Sequence, residues 1–249
     1  MINVLFFIIG AVYGSFLNML LWRLPRGRGF GGRSRCPLCQ AQLAWHNLVP
    51  IFSFIFILGR CRACRARIPN RYLLVEIVSA VALGLFGFFA MPVLTIVPML
   101  FGVYIAFTLL VLFFFDLYYF ILPDVVMIPA ILIVALYTIF VGANPIQHLV
   151  TALISGLFFG ILYVASKGRW LGFGDVKLAI LLGLVFGYPL SYLIIIASVW
   201  VGAITGLVMM ALGKATMKKA LPFGAFLCSV ALIVLIFYDK LTYIEIFFR

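Results

Sequence analysis

The amino-acid sequence predicts an all-α polytopic membrane protein with about eight transmembrane helices. The chain has 249 residues, of which 67% are hydrophobic and only 10% are charged, and its mean hydropathy is +1.29. Apolar runs of roughly 20 residues, the length that crosses a bilayer, recur along the whole chain. Soluble domains of this size carry much more charge, so the composition excludes that class.

The eight predicted spans follow one another along the chain. Their boundaries are 2–22, 72–91, 94–115, 125–142, 148–165, 176–189, 191–212 and 220–238. The first span lacks a basic leading region and a small-residue cleavage site, so we interpret it as a retained helix rather than a signal peptide. Pro129 lies in the first turn of the fourth span, where proline is well tolerated. The sixth and seventh spans are separated only by Gly187, Tyr188 and Pro189.

The basic residues predict the orientation of these spans. The net charge is +12, yet 16 of the 18 basic residues lie in or beside the first, fifth and seventh gaps between spans. Odd-numbered gaps share one side of the membrane, and the positive-inside rule makes that side cytoplasmic, with both termini outside. The positive charge therefore indicates topology and contact with membrane lipid, and it does not indicate a nucleic-acid partner. The 16 residues are Arg23, Arg26, Arg28, Arg33, Arg35, Arg60, Arg62, Arg65, Arg67, Arg71, Lys167, Arg169, Lys177, Lys214, Lys218 and Lys219, which leaves Lys240 and Arg249 at the C-terminus.

Four cysteines lie in the one sizeable soluble segment, residues 23–71. The pairs "CPLC" and "CRAC" are separated by 21 residues, and they consist of Cys36, Cys39, Cys61 and Cys64. This spacing is typical of a tetrahedral zinc site with one knuckle from each pair. Flanking arginines favour thiolates, and a metal would stabilise a loop too small to fold by burial alone. Four ligands close the site, so this zinc would be structural. Reversible dithiol chemistry is the alternative. Cys228, in the last span, is interpreted as a small buried side chain.

Four of the six acidic residues map to the predicted cytoplasmic ends of spans, where acids are candidates for function. Asp124 follows a proline and precedes a helix, as an N-cap does. Glu76 lies near Arg71 and either pairs with it or serves the site. The remaining acids, Asp239 and Glu245, lie near the outer C-terminus.

Asp116 and Asp175 form the most informative pair. Asp116 ends the run "FTLLVLFFFD" at a predicted helix C-terminus, where the helix dipole and desolvation both favour the neutral acid. Asp175, in "LGFGDVKLA", precedes a helix, where ionisation is favoured. Gly172 and Gly174 would allow an unwound backbone to approach another chain closely. Two carboxyl groups with opposite preferences for a proton indicate acid–base chemistry, and we predict aspartyl proteolysis.

Other hydrolytic arrangements are poorly represented in this sequence. His46 and His148 are the only histidines, and the predicted topology puts them on opposite faces of the membrane. Neither GxSxG nor HExxH occurs in the chain. These absences favour the pair of aspartates over a histidine-based triad or a zinc protease.

Several motifs in order resemble the bacterial type IV prepilin peptidases. They are "GSFLN", "WRLPRG", the paired CxxC loop, "RYLLVE", "DLYYFILPD", "GFGD" and "LPFGAFL". The resemblance covers nearly the whole chain and implies a GxGD-type intramembrane aspartyl protease in the bacterial plasma (inner) membrane. It implies that Asp116 and Asp175 are catalytic, and that Glu76 and the cysteines belong to the family pattern. Ala225 departs from that pattern, since we expect a proline after Pro222, Phe223 and Gly224.

The resemblance also implies substrates and cofactors. Members of this family cut the basic leader from prepilins and pseudopilins at the cytoplasmic face, and many N-methylate the new terminal residue with S-adenosylmethionine. The chain shows no glycine-rich turn typical of a soluble fold for that donor, so methyl transfer is expected from the resemblance alone. We expect three domains: 1–22, the first helix; 23–71, the zinc-binding loop; and 72–249, the protease bundle.

Two other classes of function stay open. An ion or metal transporter would line a pathway with acids near the bilayer midplane. Here the acids beside spans gather at one face, and no inverted repeat is visible. A thiol redox enzyme would use the CxxC pairs and would be indifferent to Asp116.

Overall fold

The computed structural model describes residues 2–29, 31–36, 38–90, 95–142, 144–213 and 221–237. In these ranges the regular secondary structure is helical, and the β contacts are two isolated bridges, Arg35 with Gln42 and Arg60 with Arg67. The all-α prediction is confirmed. Several residues named above lie outside the described ranges: Lys214, Lys218, Lys219, Asp239, Lys240, Glu245 and Arg249.

Each predicted span corresponds to one helix in the structure. A short additional helix, α2, lies between the cysteine pairs. The helices are α1 (Ile2–Arg23), α2 (Phe52–Phe56), α3 (Arg71–Phe89), α4 (Ile96–Tyr119), α5 (Asp124–Phe140), α6 (Pro145–Ser166), α7 (Phe173–Phe186), α8 (Leu190–Ala211) and α9 (Phe223–Ile236).

Five of the described helices are long and apolar enough to cross a membrane, namely α1, α3, α4, α6 and α8. Helix α5 has 17 residues, and α7 and α9 have 14 each. At 1.5 Å per residue a helix of 14 residues is about 21 Å long, which is shorter than a hydrocarbon core of about 30 Å. The polytopic architecture is therefore confirmed, while the number of eight crossings stays a prediction.

The chain divides between Phe107 and Thr108 into two units. In the first unit, α1 packs closely along α3. A Cβ atom on Gly14 would lie 2.6 Å from the Cα of Glu76, so only glycine permits this approach. Gly14 is the first residue of "GSFLN", and its packing role explains the glycine in that motif.

In the second unit, α6 and α7 pack side by side. Phe159 of α6 and two α7 residues, Val176 and Ala179, form a buried apolar cluster. Ile195 of α8 and Phe223, the first residue of α9, pack against this cluster. The cluster therefore holds the N-terminal ends of α7 and α9 in one region.

Candidate active site

Asp116 is buried near the end of α4, with 7% of its surface exposed. Its carboxylate accepts the backbone N–H of Ala225 at 2.6 Å, and the N–H of Gly224 also donates to it. Both donors lie in the first turn of α9, where backbone N–H groups have no partner within the helix. The start of α9 therefore supplies the hydrogen bonds that hold the Asp116 carboxylate.

Asp175 is the third residue of α7, so it lies inside the first turn rather than before the helix. Its Oδ2 accepts the N–H of Gly172 at 3.1 Å. Gly172 is the N-cap and has an extended backbone with φ −77° and ψ 153°. A side chain at this helix position that reaches back to the N-cap N–H is half of a capping box.

The fold brings Asp116 and Asp175 into one neighbourhood of the second unit. The two carboxyl groups interact electrostatically with each other. Both also interact electrostatically with the thiol of Cys228, a fully buried residue of α9. Leu122 joins the two helix starts, because Cβ atoms built on Gly174 and Gly224 would lie 3.1 and 3.3 Å from its Cδ1. Two acids that are 59 positions apart in sequence are thus collected by α4, α7 and α9.

The prediction that helix dipoles act in opposite ways on these two acids is wrong. We expected Asp116 to lack any capping interaction because it follows a helix. The structure places it at the N-terminus of a different helix, α9, where ionisation is favoured as it is for Asp175. Helix position therefore does not assign the roles of acid and base.

The interpretation of Asp124 as an N-cap is also wrong. Pro123 is the N-cap of α5, and Asp124 is the first helical residue, without a side-chain cap. The Asp124 carboxylate instead forms an ion pair with Lys177 of α7. The Lys177 ammonium also lies 5.1 Å from the centre of the Phe173 ring. Asp124 thus links the starts of α5 and α7.

Gly174 has a role in packing, which differs from the predicted role of letting an unwound backbone approach another chain. A Cβ atom there would lie 3.1 Å from two atoms of Leu122, so Gly174 admits the chain that joins α4 to α5. At Gly172 the nearest atoms to a Cβ are at 3.7 Å and beyond, which is ordinary contact. The expected unwinding is limited to Gly172, because α7 begins at Phe173.

Glu76 belongs to the first unit, where 8% of its surface is exposed. Its Oε2 accepts the backbone N–H of Ile51 at 2.7 Å, and the side chains of Ser15 and Asn18 also donate to it. The partners that the structure shows for Glu76 are therefore neutral donors from α1 and from the cysteine loop.

The four cysteines of the loop cluster as the spacing predicted. Their Sγ atoms all lie within 4.8 Å of one another, and the sulfurs of Cys36 and Cys64, and of Cys39 and Cys61, are 4.0 Å apart. Sulfurs bound to zinc at 2.3 Å in a tetrahedron are about 3.8 Å apart. The donor set therefore fits a metal ion of this kind after a small contraction.

The two cysteine pairs are built in the same way. In each, the first cysteine donates its N–H five residues ahead, to Ala41 or Ala66, at 2.9 Å. The carbonyl of each first cysteine accepts an N–H from four residues ahead. The matching sequences, "RCPLCQAQ" and "RCRACRAR", form a short internal repeat that was not predicted.

Backbone groups favour the thiolate at Cys61. The N–H groups of Cys64 and then Ala63 donate to its sulfur, and they lower the pKa of Cys61 to about 7. The thiolate is the form that binds metals. The main cause of the lowered pKa is thus the backbone N–H groups of the CxxC turn, and not the flanking arginines that we expected.

Three residues of this neighbourhood were not predicted as site residues. Leu122 packs on both helix starts, Lys177 binds Asp124, and Ala225 donates to Asp116. The motif "LPFGAFL" was the available signal for Ala225, but its function depends on a contact with a helix 109 residues earlier.

Comparisons with known proteins identify the family of this chain. Residues 8–90 match the model of the bacterial peptidase A24 N-terminal domain, and residues 103–207 match the type IV leader peptidase family. A prepilin leader peptidase/N-methyltransferase of Stutzerimonas stutzeri is 30% identical, over 94% of this chain and 90% of the relative. Proteins of the same name from Burkholderia pseudomallei (33%, over 89% and 81%) and Aeromonas salmonicida (28%, over 96% and 91%) are also similar. No solved structure matches the chain significantly. The chain belongs to the type IV leader peptidase family.

Proposed function

We propose that this protein cleaves the leader peptide of type IV prepilins or pseudopilins, with Asp116 and Asp175 as the catalytic pair. The observation that supports the proposal is that both carboxyl groups lie in one neighbourhood of the second unit, beside Leu122, and interact electrostatically. Both lie within the residues that match the leader peptidase family. The relatives named above are peptidases, and the transporter alternative finds no support among them.

The proposed reaction needs one proton shared by the pair. Each carboxylate disfavours ionisation of the other, so in the proposed mechanism one carboxyl group is protonated and the other is ionised. The ionised group takes a proton from water as the water oxygen bonds to the scissile carbonyl carbon, while the protonated group donates to the carbonyl oxygen. The C–N bond then breaks as the carbonyl re-forms: the amine nitrogen takes the proton that the first carboxyl group received from water, and a hydroxyl of the diol returns a proton to the second carboxylate. The pair titrates jointly, so neither residue is assigned a permanent role.

Neighbouring residues would support this pair in different ways. Gly172 supplies the N–H that holds Asp175, and Gly174 admits Leu122 beside it. Asp124 anchors α7 through Lys177. Glu76 would support the cysteine loop of the first unit, through its bond to Ile51.

We infer that Cys36, Cys39, Cys61 and Cys64 hold a zinc ion. Four protein ligands leave no open position for a substrate, so the metal would be structural. It would fix the two knuckles of a loop that has little other regular structure. This favours a structural metal over reversible dithiol chemistry.

The second proposed activity is N-methylation of the new terminal residue, the activity in the relatives' name. S-adenosylmethionine, when bound, supplies a methyl group on a sulfonium. That methyl group would pass to the amine nitrogen, the amine proton would go to solvent, and S-adenosylhomocysteine would be the by-product.

We place the protein in the bacterial plasma (inner) membrane, with the aspartate pair facing the cytoplasm. The positions of the arginines and lysines support this orientation. In this view residues 1–22 form the first helix, 23–71 the zinc loop and 72–249 the protease bundle.

The test is cleavage of a prepilin reconstituted into the same vesicles as the enzyme. We expect Asp116→Asn and Asp175→Asn each to lower the rate roughly a hundredfold or more, the loss typical for an acid–base group. Asp239→Asn serves as the matched control. If either site variant folds and retains substantial cleavage, the assignment of the pair is wrong.

A further inference from the structure

The short helix α2 and the two residues after it are apolar on both sides. On the inner side, Ser53, Phe54 and Ile57 line a cavity between the cysteine loop and helices α1 and α3. On the other side large apolar side chains are exposed, and the exposed fractions of Phe56 and Leu58 are 78% and 84%. The outer face of α2 consists of Phe52, Ile55, Phe56 and Leu58. The outward side of a soluble helix is normally polar, so this face requires an apolar environment.

The ends of α1 and α3 carry aromatic residues that mark the membrane surface. Trp22 lies at the end of α1, and the guanidinium groups of Arg26 and Arg28 lie 5.0 and 4.8 Å from the centre of its ring. Tyr72 lies at the start of α3, with the guanidinium of Arg71 at 5.4 Å from its ring centre. Tryptophan and tyrosine are enriched at the level of the lipid headgroups. The two helices therefore reach the membrane surface at Trp22 and Tyr72.

Two hydrogen bonds fix the segment before α2 below that level. The hydroxyl of Ser15 donates to the carbonyl oxygen of Leu48 at 3.3 Å, and the N–H of Ile51 donates to the Glu76 carboxylate at 2.7 Å. On α1 and α3 these contacts lie seven and four residues inside the aromatic markers, or about 10 and 6 Å along the helices. Helix α3 has 19 residues, and its length of about 28 Å is almost entirely taken up by the hydrocarbon core, so little of it can project into water.

The charge of the cysteine loop suits an anionic surface. Residues 23–71 contain ten arginines and no acidic residue. Arg60, Arg65 and Arg67 come soon after the outer face of α2 and are exposed. An antiparallel bridge places Arg60 directly opposite Arg67, an arrangement in which like charges are destabilising. A phosphate group between the two guanidinium groups would relieve this repulsion.

We propose that the outer face of α2 inserts into the boundary between headgroups and acyl chains of an anionic bilayer, with lipid phosphates bound by Arg60, Arg65 and Arg67. Interfacial helices lie about 5–10 Å deep, which matches the depth of the two hydrogen bonds. The arginine side chains extend from this depth back to the phosphates. The cysteine loop is thereby held against the membrane by α2 as well as by its connections to α1 and α3. Insertion of this face does not require the protein to be a peptidase.

The test is quenching of tryptophan fluorescence by lipids with brominated acyl chains. The full-length chain is reconstituted into vesicles of phosphatidylglycerol and phosphatidylcholine. Phe56→Trp should add emission of which the brominated lipids remove roughly half or more, since the bromines lie at the depth expected for this face. Ala63→Trp is the matched control, because Ala63 is exposed in the second CxxC turn and does not line the cavity. Its added emission should be quenched little, and the parent chain with its four tryptophans gives the background.

A second measurement tests the contact with the headgroups. Quenching in Phe56→Trp should fall severalfold when phosphatidylcholine replaces the phosphatidylglycerol, because the surface then loses its negative charge. Adding Arg60→Gln, Arg65→Gln and Arg67→Gln to the same chain should abolish this dependence on lipid charge. A dependence that the arginine substitutions leave unchanged would overturn the proposed contact with phosphate.

Gel filtration shows whether each variant has folded, and Phe52→Trp is a second reporter on the same face. Quenching in Phe56→Trp and Phe52→Trp that is no greater than in Ala63→Trp would overturn the insertion. Emission that bromine leaves unchanged, but that shifts as the ratio of protein to lipid is raised, would assign the outer face of α2 to a contact with a second copy of the chain and would also overturn the proposal.

Discussion

Asp116 is held by backbone N–H groups that lie 109 residues further along the chain. A carboxylate that accepts two such donors at a helix start is stabilised in its ionised form by both hydrogen bonding and the helix dipole. Asp175 has one comparable donor, the N–H of Gly172. These backbone groups favour the ionised form of each acid, and a single substitution can remove one of them.

Ala225→Pro removes one of these donors, because proline has no backbone N–H. Proline is tolerated in the first turn of a helix, and the family resemblance leads us to expect it at this position. The ionised form of Asp116 would lose the 2.6 Å bond, so the pH–rate profile for cleavage, which reports the joint titration of the pair, should move upward by roughly one pH unit. Ala225→Ser keeps the N–H and is the control. An unchanged profile in the proline variant would refute this account of Asp116.

Gly174 and Gly172 differ in how closely other side chains approach them. Alanine at 174 would press on Leu122 at 3.1 Å and displace the start of α7. Misplacing a catalytic group by about 1 Å can cost a hundredfold in rate, and we expect a loss of that order. Gly172→Ala should cleave like the parent protein, since its nearest neighbour is at 3.7 Å.

A double variant tests whether the contact with Leu122 explains the loss in Gly174→Ala. Shortening the opposing side chain in Gly174→Ala/Leu122→Ala should recover cleavage relative to Gly174→Ala alone. Rates are measured with the same reconstituted prepilin. Equal losses in the two glycine variants, or no recovery in the double variant, would show that packing against Leu122 is not the cause.

The helices themselves were largely predictable from the sequence. The predicted spans begin within three residues of the helices that the structure contains, because long apolar runs leave few alternatives in a membrane. Contacts between helices were not predictable in the same way. The bond from Ala225 to Asp116 and the pair of Asp124 with Lys177 depend on how α4, α5, α7 and α9 pack.

Asp175 was identified for reasons that the structure only partly supports. Its position beside a helix start was correct, but Gly174 serves the packing of Leu122. Asp116 was identified from its supposed lack of a capping partner, and this reason is wrong. Both acids were selected because acids are scarce in an apolar chain, and that observation did not depend on the local geometry.

The ion pair between Asp124 and Lys177 connects α5 to α7 and can be tested by charge reversal. Asp124→Lys and Lys177→Asp should each slow prepilin cleavage, because Lys177 lies two residues after Asp175 and fixes the same turn. The double exchange should restore much of the rate. The side chains are 18% exposed for Lys177 and 56% for Asp124, so the pair should contribute only about 1 kcal/mol or less to stability.

Stability and rate distinguish the possible outcomes for this pair. Thermal unfolding of the single variants should change little while cleavage falls. If the double exchange is as slow as the single variants, then the pair does not position α7. If cleavage and thermal stability fall in parallel, the ion pair serves the fold generally.

At the scale of the whole molecule, we expect the purified protein to contain about one zinc ion per chain. Cys36→Ser and Cys64→Ser should lose the metal, and limited proteolysis should then cut the cysteine loop. Cys228→Ser changes the fifth cysteine, which lies far along the sequence in α9, and should retain zinc. A protein without metal whose loop still resists proteolysis would refute the zinc site.

The predicted number of crossings depends on whether α6 and α7 each cross the membrane. Gln147 of α6 donates to the carbonyl of Tyr188 after α7 at 2.8 Å, so the start of α6 and the end of α7 lie at the same end of the bundle. Asp175 and the loop containing Arg169 lie at the opposite end.

Eight crossings put Asn144 outside and Arg169 in the cytoplasm. In intact cells a membrane-impermeant maleimide should therefore label Asn144→Cys and leave Arg169→Cys unlabelled until the membrane is opened, with the parent chain as the background. Labelling of Arg169→Cys in intact cells would invert the topology and move the aspartate pair to the outer face. Because α7 has only 14 residues, the bilayer beside it must thin by about 9 Å, or the flanking residues must extend the crossing.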